Sequence, residues 1–181
     1  MVQLALGDDR WDAPKLNLGC ARFLADGWIN ADVRQYDGAQ CFDARSIPYP
    51  DCTFARVYVG HVLEHLPEED VPAAVSEIHR VLAVGGKVMF AGPCLDRALQ
   101  YRPGDLELQD AIIRGHAGWD EQEAHPLPGD GHHWICTLGK MLGLIRPFFP
   151  AAAEVPDADV PRTWPVVSRG HAWQVFVGAT K

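Results

Sequence analysis

Residues 43–93 confine this chain to very few folds. A strand ends on the acid Asp43, and Ser46-Ile47-Pro48-Tyr49-Pro50 forms a turn into the apolar run Phe54-Ala55-Arg56-Val57-Tyr58-Val59. Gly60-His61-Val62-Leu63-Glu64-His65 follows, then a helical stretch, then Gly85-Gly86 and a second apolar run closing on Phe90-Ala91-Gly92-Pro93. The helix is expected over Glu68 to Ala83, because Val71, Ala74, Val75, Ile78 and Leu82 fall on one face of a 3.6-residue period. Pro67 suits its first position, and Glu68, Glu69 and Asp70 complement the positive helix start. Gly85-Gly86 is expected to supply a left-handed stop.

The same order extends in both directions. Lys15 to Gly19 reads as a short strand ending on glycine, and Trp28 to Val33 as a second with an acid at its carboxyl end. Gln40 to Asp43, Phe54 to Gly60 and Lys87 to Ala91 complete a set of five. Beyond Pro93, Leu106 to Arg114 reads as a helix, 115–131 as a polar Gly/Pro-punctuated loop, and Thr137 to Arg146 as a helix capped by Thr137. Ala172 to Ala179 is the last strand, with Ala152 to Val155 beside it. Short apolar strands spaced by turns and helices favour a parallel sheet covered on both faces. The expected fold is α/β, a doubly wound and mostly parallel sheet with an antiparallel late strand, formed as one domain over 1–181.

Composition narrows the function classes. A length of 181 residues allows one ordinary domain with a core. No window approaches the roughly 20 apolar residues of a membrane span, and Met1 to Pro14 lacks the order of a signal peptide. A cytoplasmic protein with no membrane partner is therefore expected. The net charge of -8 disfavours charge-driven binding to nucleic acid, which would be repelled at long range. Cys20, Cys41, Cys52, Cys94 and Cys136 are scattered and odd in number, so they read as reduced thiols, mostly buried. Nothing in the sequence addresses oligomeric state.

Taken together, Asp43 to Pro93 resembles the second half of the nucleotide-binding sheet of class I S-adenosylmethionine-dependent methyltransferases, of the small type 11-like group. The resemblance covers roughly residues 15–93 and implies a Rossmann-like methyltransferase fold with S-adenosylmethionine as cofactor. It makes 15–93 the cofactor-binding half, 94–136 a substrate lid and 137–181 a closing helix and strands. Asn17-Leu18-Gly19 matches the first motif, where backbone amides meet the methionine half of the cofactor. Asp32 falls where the family has an acid on the ribose hydroxyls. Asp43 falls where an acid or amide reads the adenine amino group, with the Ala44 backbone at the ring edge. Gly60 and His61 fall at the strand end lining the methionine moiety. The family's Gly-x-Gly-x-Gly spacing is broken here by Ala21 and Phe23, and Phe23 is expected to fill space that is normally open. Only about eight residues separate Gly19 from Trp28, so the helix usual between the first two strands is almost missing. Gly27 to Asp32, Gly-Trp-Ile-Asn-Ala-Asp, is similar to the second-strand entry of some short family members.

Each residue also has a plainer reading. Asp32 and Asp43 serve equally well as turn formers or caps, Gly19 as a turn glycine, and His61 as a satisfied core histidine. His61-Val62-Leu63-Glu64-His65 also matches the His-x-x-Glu-His pattern of inverted zinc peptidases. It starts at a strand end with Pro67 two residues beyond it, so no metal is expected, and Glu64 and His65 are expected to hold the turn. Methyl transfer requires mainly in-line positioning of the acceptor, sometimes with a base. Tyr101, Arg102, His116, Trp119, His125, His132, His133 and Trp134 crowd the expected lid segment. Among these, Tyr101, Arg102 and Trp119 are candidate substrate contacts, with His133 or His132 as candidate base. The expected acceptor is a small molecule or a defined group on a larger one. The competing expectation is a non-catalytic module that keeps the fold for binding or assembly.

Overall fold

A computed structural model of the chain describes residues 13–114, 131–166 and 173–181. It contains one seven-stranded sheet in the order β3-β2-β1-β4-β5-β7-β6. The strands are β1 (Lys15–Leu18), β2 (Ile29–Asp32), β3 (Gln40–Cys41), β4 (Phe54–Gly60), β5 (Leu82–Pro93), β6 (Ala153–Glu154) and β7 (Gln174–Thr180). The first five run parallel, and β7 pairs antiparallel with both β5 and β6. The doubly wound, mostly parallel sheet with a late antiparallel strand is thus the fold the chain forms. Strand order reverses between β1 and β4, which creates a crevice beyond their carboxyl ends.

The four α-helices among the described residues are α1 (Val71–Val81), α2 (Leu95–Tyr101), α3 (Leu106–Arg114) and α4 (Leu138–Ile145). In α1 the stripe Val71, Ala74, Val75 and Ile78 is buried against the sheet. Each buried Val or Ile contributes about 1.5–3 kcal/mol of transfer free energy before entropy is counted. Pro67 precedes a 3-10 turn at Glu68–Asp70 rather than opening the α-helix, and Pro72 lies in the first turn of α1. The expected Gly85-Gly86 stop is also displaced. The helix ends at Val81 because Leu82 turns extended and is already buried strand (φ −74°, ψ 131°). Lys181 then supplies the capping donors, its Nζ reaching the carbonyls of Leu82 (2.8 Å) and Arg80 (3.4 Å). Gly85 (φ +75°) sits where the β4–β5 register slips between Phe54/Leu82 and Arg56/Lys87. Thr137 caps α4 as expected, its Oγ1 accepting from the Lys140 amide.

Alternating side chains of the central strands feed two separate cores, one on each face of the sheet. Val57, Val59, Val88, Phe90, Val175 and Val177 pack with α1 and α4. Tyr58, Met89, Ala91 and Phe176 meet Trp28, Val155, Val160 and Trp164, none of which lies in an α-helix. Between β1 and β2 there are only turns, as the short spacing implies. Trp28 and Trp164, with ring centroids 5.6 Å apart, do the covering that a helix would otherwise do. No helix among the described residues is long and apolar enough to cross a membrane.

All five cysteines are free thiols; Cys20, Cys94 and Cys136 are buried while Cys41 and Cys52 are exposed. Burial, reinforced by the charge of Asp32, pushes the Cys20 thiol up to about 11, and burial raises Cys94 and Cys136 too. Thiolate is the reacting form. A thiol-reactive disulfide reagent at pH 8 should therefore label Cys41 and Cys52 rapidly and leave the other three untouched until denaturant is added. Rapid labelling of all five in the native protein would contradict the buried placement.

Candidate active site

The crevice is built from three strand ends. At the end of β1, Gly19 adopts φ +77°, and its amide donates to the Ala31 carbonyl (2.9 Å). A Cβ at Gly19 would lie 2.3 Å from Val62 Cγ2 and 2.8 Å from the Gly60 carbonyl. The turns after β1 and β4 therefore touch, and only glycine permits it. Gly60 is closed in the same way, because a Cβ there would meet the Tyr58 ring at 2.5 Å.

Among the described residues, Asp32, at the carboxyl end of β2, uses each carboxylate oxygen once. Oδ2 accepts from the Ala21 amide and Oδ1 from the Arg34 amide, both at 2.9 Å. An ionised carboxylate has about four acceptor positions, so two remain for further donors. Ala21 holds φ +44°, so the loop keeps a left-handed geometry with alanine in place of the motif glycine. Phe23 does not fill the loop as expected. It is 36% exposed, and the Arg22 guanidinium lies over its ring at 5.6 Å.

Asn17 is buried, and its amide donates to Asn30 Oδ1 (2.9 Å) and the Phe23 carbonyl (3.3 Å). Asn30 in turn accepts from the Ala25 amide and donates to the carbonyls of Ala25 and Trp28. This network shapes the helix-free β1–β2 connection; sequence reasoning missed Asn30, although it lies in the quoted Gly27 to Asp32 stretch. Asp43 is gripped by Arg45 through both carboxylate oxygens, and Arg45 also reaches Asp70. That grip holds the Asp43 carboxyl below the usual range. Its Oδ1 accepts from the Arg45 amide two residues on, the turn-forming role of an aspartate. Ala44 is buried in the core beside it.

The end of β4 carries the strongest electrostatics. His61 adopts φ +55°, an uncommon conformation for a residue with a side chain. Its Nδ1 bonds Glu64 Oε1 at 3.0 Å, and its Nε2 bonds Gln174 Oε1 at 2.8 Å, at the start of β7. Glu64 is 1% exposed. Burial opposes charge on both groups, yet their mutual hydrogen bond and attraction win, raising the His61 pKa and lowering that of Glu64. Both shifts favour an imidazolium facing a carboxylate, whose charges offset one another. Gln174 was missed in the sequence; its signal was a polar residue opening an otherwise apolar strand.

The segment His132–Trp134 docks on the 3-10 turn Leu63–His65. The His133 amide donates to the Glu64 carbonyl (2.9 Å) and Trp134 Nε1 to the Leu63 carbonyl (3.0 Å). His132 Nδ1 donates to the Ile112 carbonyl at 2.7 Å, and its ring meets His65 edge-on with centroids 5.1 Å apart. Both candidate bases thus sit against the turn after β4, with His133 exposed. Tyr101 and Arg102 lie on the surface at the end of α2, Arg102 paired with Asp105 (3.0 Å). Arg97 lies over the Tyr101 ring and pairs with Glu154 of β6. His116, Trp119 and His125 lie outside the described residues. Residues 61–65 occupy a strand end and one 3-10 turn, so the single helical face that an inverted zinc-peptidase motif needs is not formed.

The family described as "Methyltransferase domain" matches residues 21–90, which hold β2 to β4, α1 and most of β5. A malonyl-(acyl-carrier protein) O-methyltransferase from Halorhodospira halophila is 29% identical over 169 residues; the match covers 74% of this chain and 56% of that protein. The chain thus spans little more than half of that relative's length. A SAM-dependent methyltransferase from Archaeoglobus fulgidus superposes with TM-score 0.58 at 14% identity, covering 93% of this chain and 86% of the other. One from Methanosarcina mazei gives 0.56 at 15% identity, covering 94% and 92%. The cyclase SpnF also shares the fold, with TM-score 0.52 at 16% identity, covering 93% and 75%. The chain thus has the fold of the class I methyltransferases, and its residues 21–90 match the methyltransferase-domain family.

Proposed function

We propose that this chain binds S-adenosylmethionine in the crevice between β1 and β4 and transfers its methyl group to a small molecule or a defined group on a larger acceptor. The observation that carries this reading is the contact of Gly19 with Gly60 and Val62, which closes the crevice floor at the point where strand order reverses. The donor set suits the cofactor. Asp32 has acceptor positions left for two ribose hydroxyls, and the glycine turn brings backbone close without side chains. The sulfonium supplies an activated methyl group. The chain's own residues then hold the acceptor in line and exclude water. The paired charge of His61 and Glu64 matters here, since a lone imidazolium beside the crevice would repel a cationic ligand.

His133 and His132 are the candidate bases, His132 donating to the Ile112 carbonyl and lying in a cluster with Glu64 and His65. Residues 94–136, with Tyr101 and Arg102, are proposed as the acceptor side. The name of the Halorhodospira halophila relative favours an oxygen acceptor. Because a cyclase shares the fold, the cofactor test must precede any acceptor search. In calorimetric titration with S-adenosylhomocysteine, the parent should bind in the micromolar range. Asp32→Ala should weaken that binding at least tenfold, since a hydrogen bond to a charged group contributes about 1.5–3 kcal/mol. No binding by the parent at millimolar ligand would overturn the cofactor reading, and unchanged affinity in Asp32→Ala would overturn the ribose assignment alone.

A further inference from the structure

We propose that Glu64, His65 and His132 bind one divalent transition-metal ion of the zinc class beside the turn that follows β4. One donor atom from each residue lies within 4.8 Å of the other two, so small side-chain rotations converge them on a single ion. Bonds from nitrogen and carboxylate oxygen to zinc are about 2.0–2.2 Å long.

Three independent observations make this more than proximity. Glu64 is 1% exposed, and while Oε1 meets His61, its Oε2 is buried with no hydrogen-bond partner among the described residues. A buried carboxylate oxygen without a partner is costly, and a bound cation offsets that cost. Second, the Ile112 carbonyl can only accept, so in the neutral imidazole of His132 the proton sits on Nδ1 and the lone pair on Nε2. An imidazole oriented by a backbone carbonyl on its far nitrogen is the usual arrangement of a metal-ligating histidine. Third, the backbones are already fixed to one another. His65 belongs to the 3-10 turn, and the strand of chain bearing His132 is tied to that turn through His133 and Trp134.

Two imidazoles and one carboxylate select zinc, cobalt or nickel over magnesium or calcium, which prefer all-oxygen shells. Three protein ligands leave a fourth position for water or another donor. The site takes Glu64 and His65 from the His-x-x-Glu-His pentapeptide but replaces His61, held by Glu64 and Gln174, with a residue 67 positions beyond His65. It departs from the sequence expectation of a metal-free chain. An ion there would clip the segment containing His132 to the end of β4.

The test uses the full chain, free of any affinity tag and stripped with chelator, without S-adenosylmethionine, so its outcome is separate from that of the methyl-transfer reading. Zinc chloride is titrated by calorimetry, and cobalt chloride by visible absorption. The expected result is one ion per chain at micromolar affinity or tighter, with an intense cobalt band of low coordination number. His132→Gln and His65→Gln should each weaken binding at least tenfold, and His79→Gln, distant from the cluster, should not. Absence of stoichiometric zinc binding and of the cobalt band in the parent would overturn the proposal even if a variant fails to fold. Parent-like affinity in both His132→Gln and His65→Gln would overturn it as well.

Discussion

Replacing Glu64 with alanine should destabilise the chelator-treated protein by about 3 kcal/mol in urea unfolding. Removing one partner of a buried ion pair typically costs about 3–5 kcal/mol, because the remaining charge is left uncompensated. The lower end applies here, since the His61 side chain is 32% exposed and keeps some hydration. The loss has a specific route. His61 at φ +55° is a strained position, held by Glu64 on one ring nitrogen and Gln174 on the other. Glu64→Gln keeps an acceptor for His61 without the charge, and should lose less than Glu64→Ala. A loss below about 1 kcal/mol in Glu64→Ala would show that the pair does not hold the β4 turn.

Gly19→Ala should be comparably severe, at about 2–5 kcal/mol, and should also abolish measurable cofactor binding. Left-handed backbone costs a non-glycine residue roughly 1–2 kcal/mol, and overpacking adds about 1–3 kcal/mol. The new Cβ meets both Val62 Cγ2 at 2.3 Å and the Gly60 carbonyl at 2.8 Å. Trimming the first obstacle in Gly19→Ala/Val62→Ala should recover only part of the stability, because the second is backbone. Full recovery would mean that the two turns are not in rigid contact. Circular dichroism melts of the two variants beside the Val62→Ala single mutant would decide between these outcomes.

The central fold was legible because its signals are local. Phe54 to Gly60 is buried at every position, so its sequence reads as an apolar run interrupted only by Arg56. The α1 stripe repeats at helical spacing, and Asp32 marks the end of β2 as its sequence position implies. α2 was invisible because Ala98 alone of its residues is buried, which leaves no periodic stripe to read. The start of β5 was hidden by Gly85-Gly86, whose turn lies inside a register slip instead of at a helix end. At the candidate site, the positions of Gly19, Asp32 and His61 could be read, but their partners could not. Gln174 lies 113 positions from His61, and Ile112 meets His132 across a segment with no pattern of its own. Such pairings are consequences of topology, and a linear reading has no access to them.

The tryptophan pair that stands in for the β1–β2 helix has a consequence for how the chain is made. Trp28 belongs to the first turns of the sheet, whereas Trp164 lies just before its last strand. Residues 15–93 therefore cannot close the second face of their sheet by themselves. During synthesis it emerges with Tyr58, Met89 and Trp28 uncovered, and gains a dry interior only after the stretch holding Val155, Val160 and Trp164 leaves the ribosome. Long-range closure of this kind slows folding and prolongs the exposure of apolar surface. A fragment ending at Pro93, though it holds every strand of the crevice, should be an aggregation-prone intermediate rather than a minimal cofactor-binding unit.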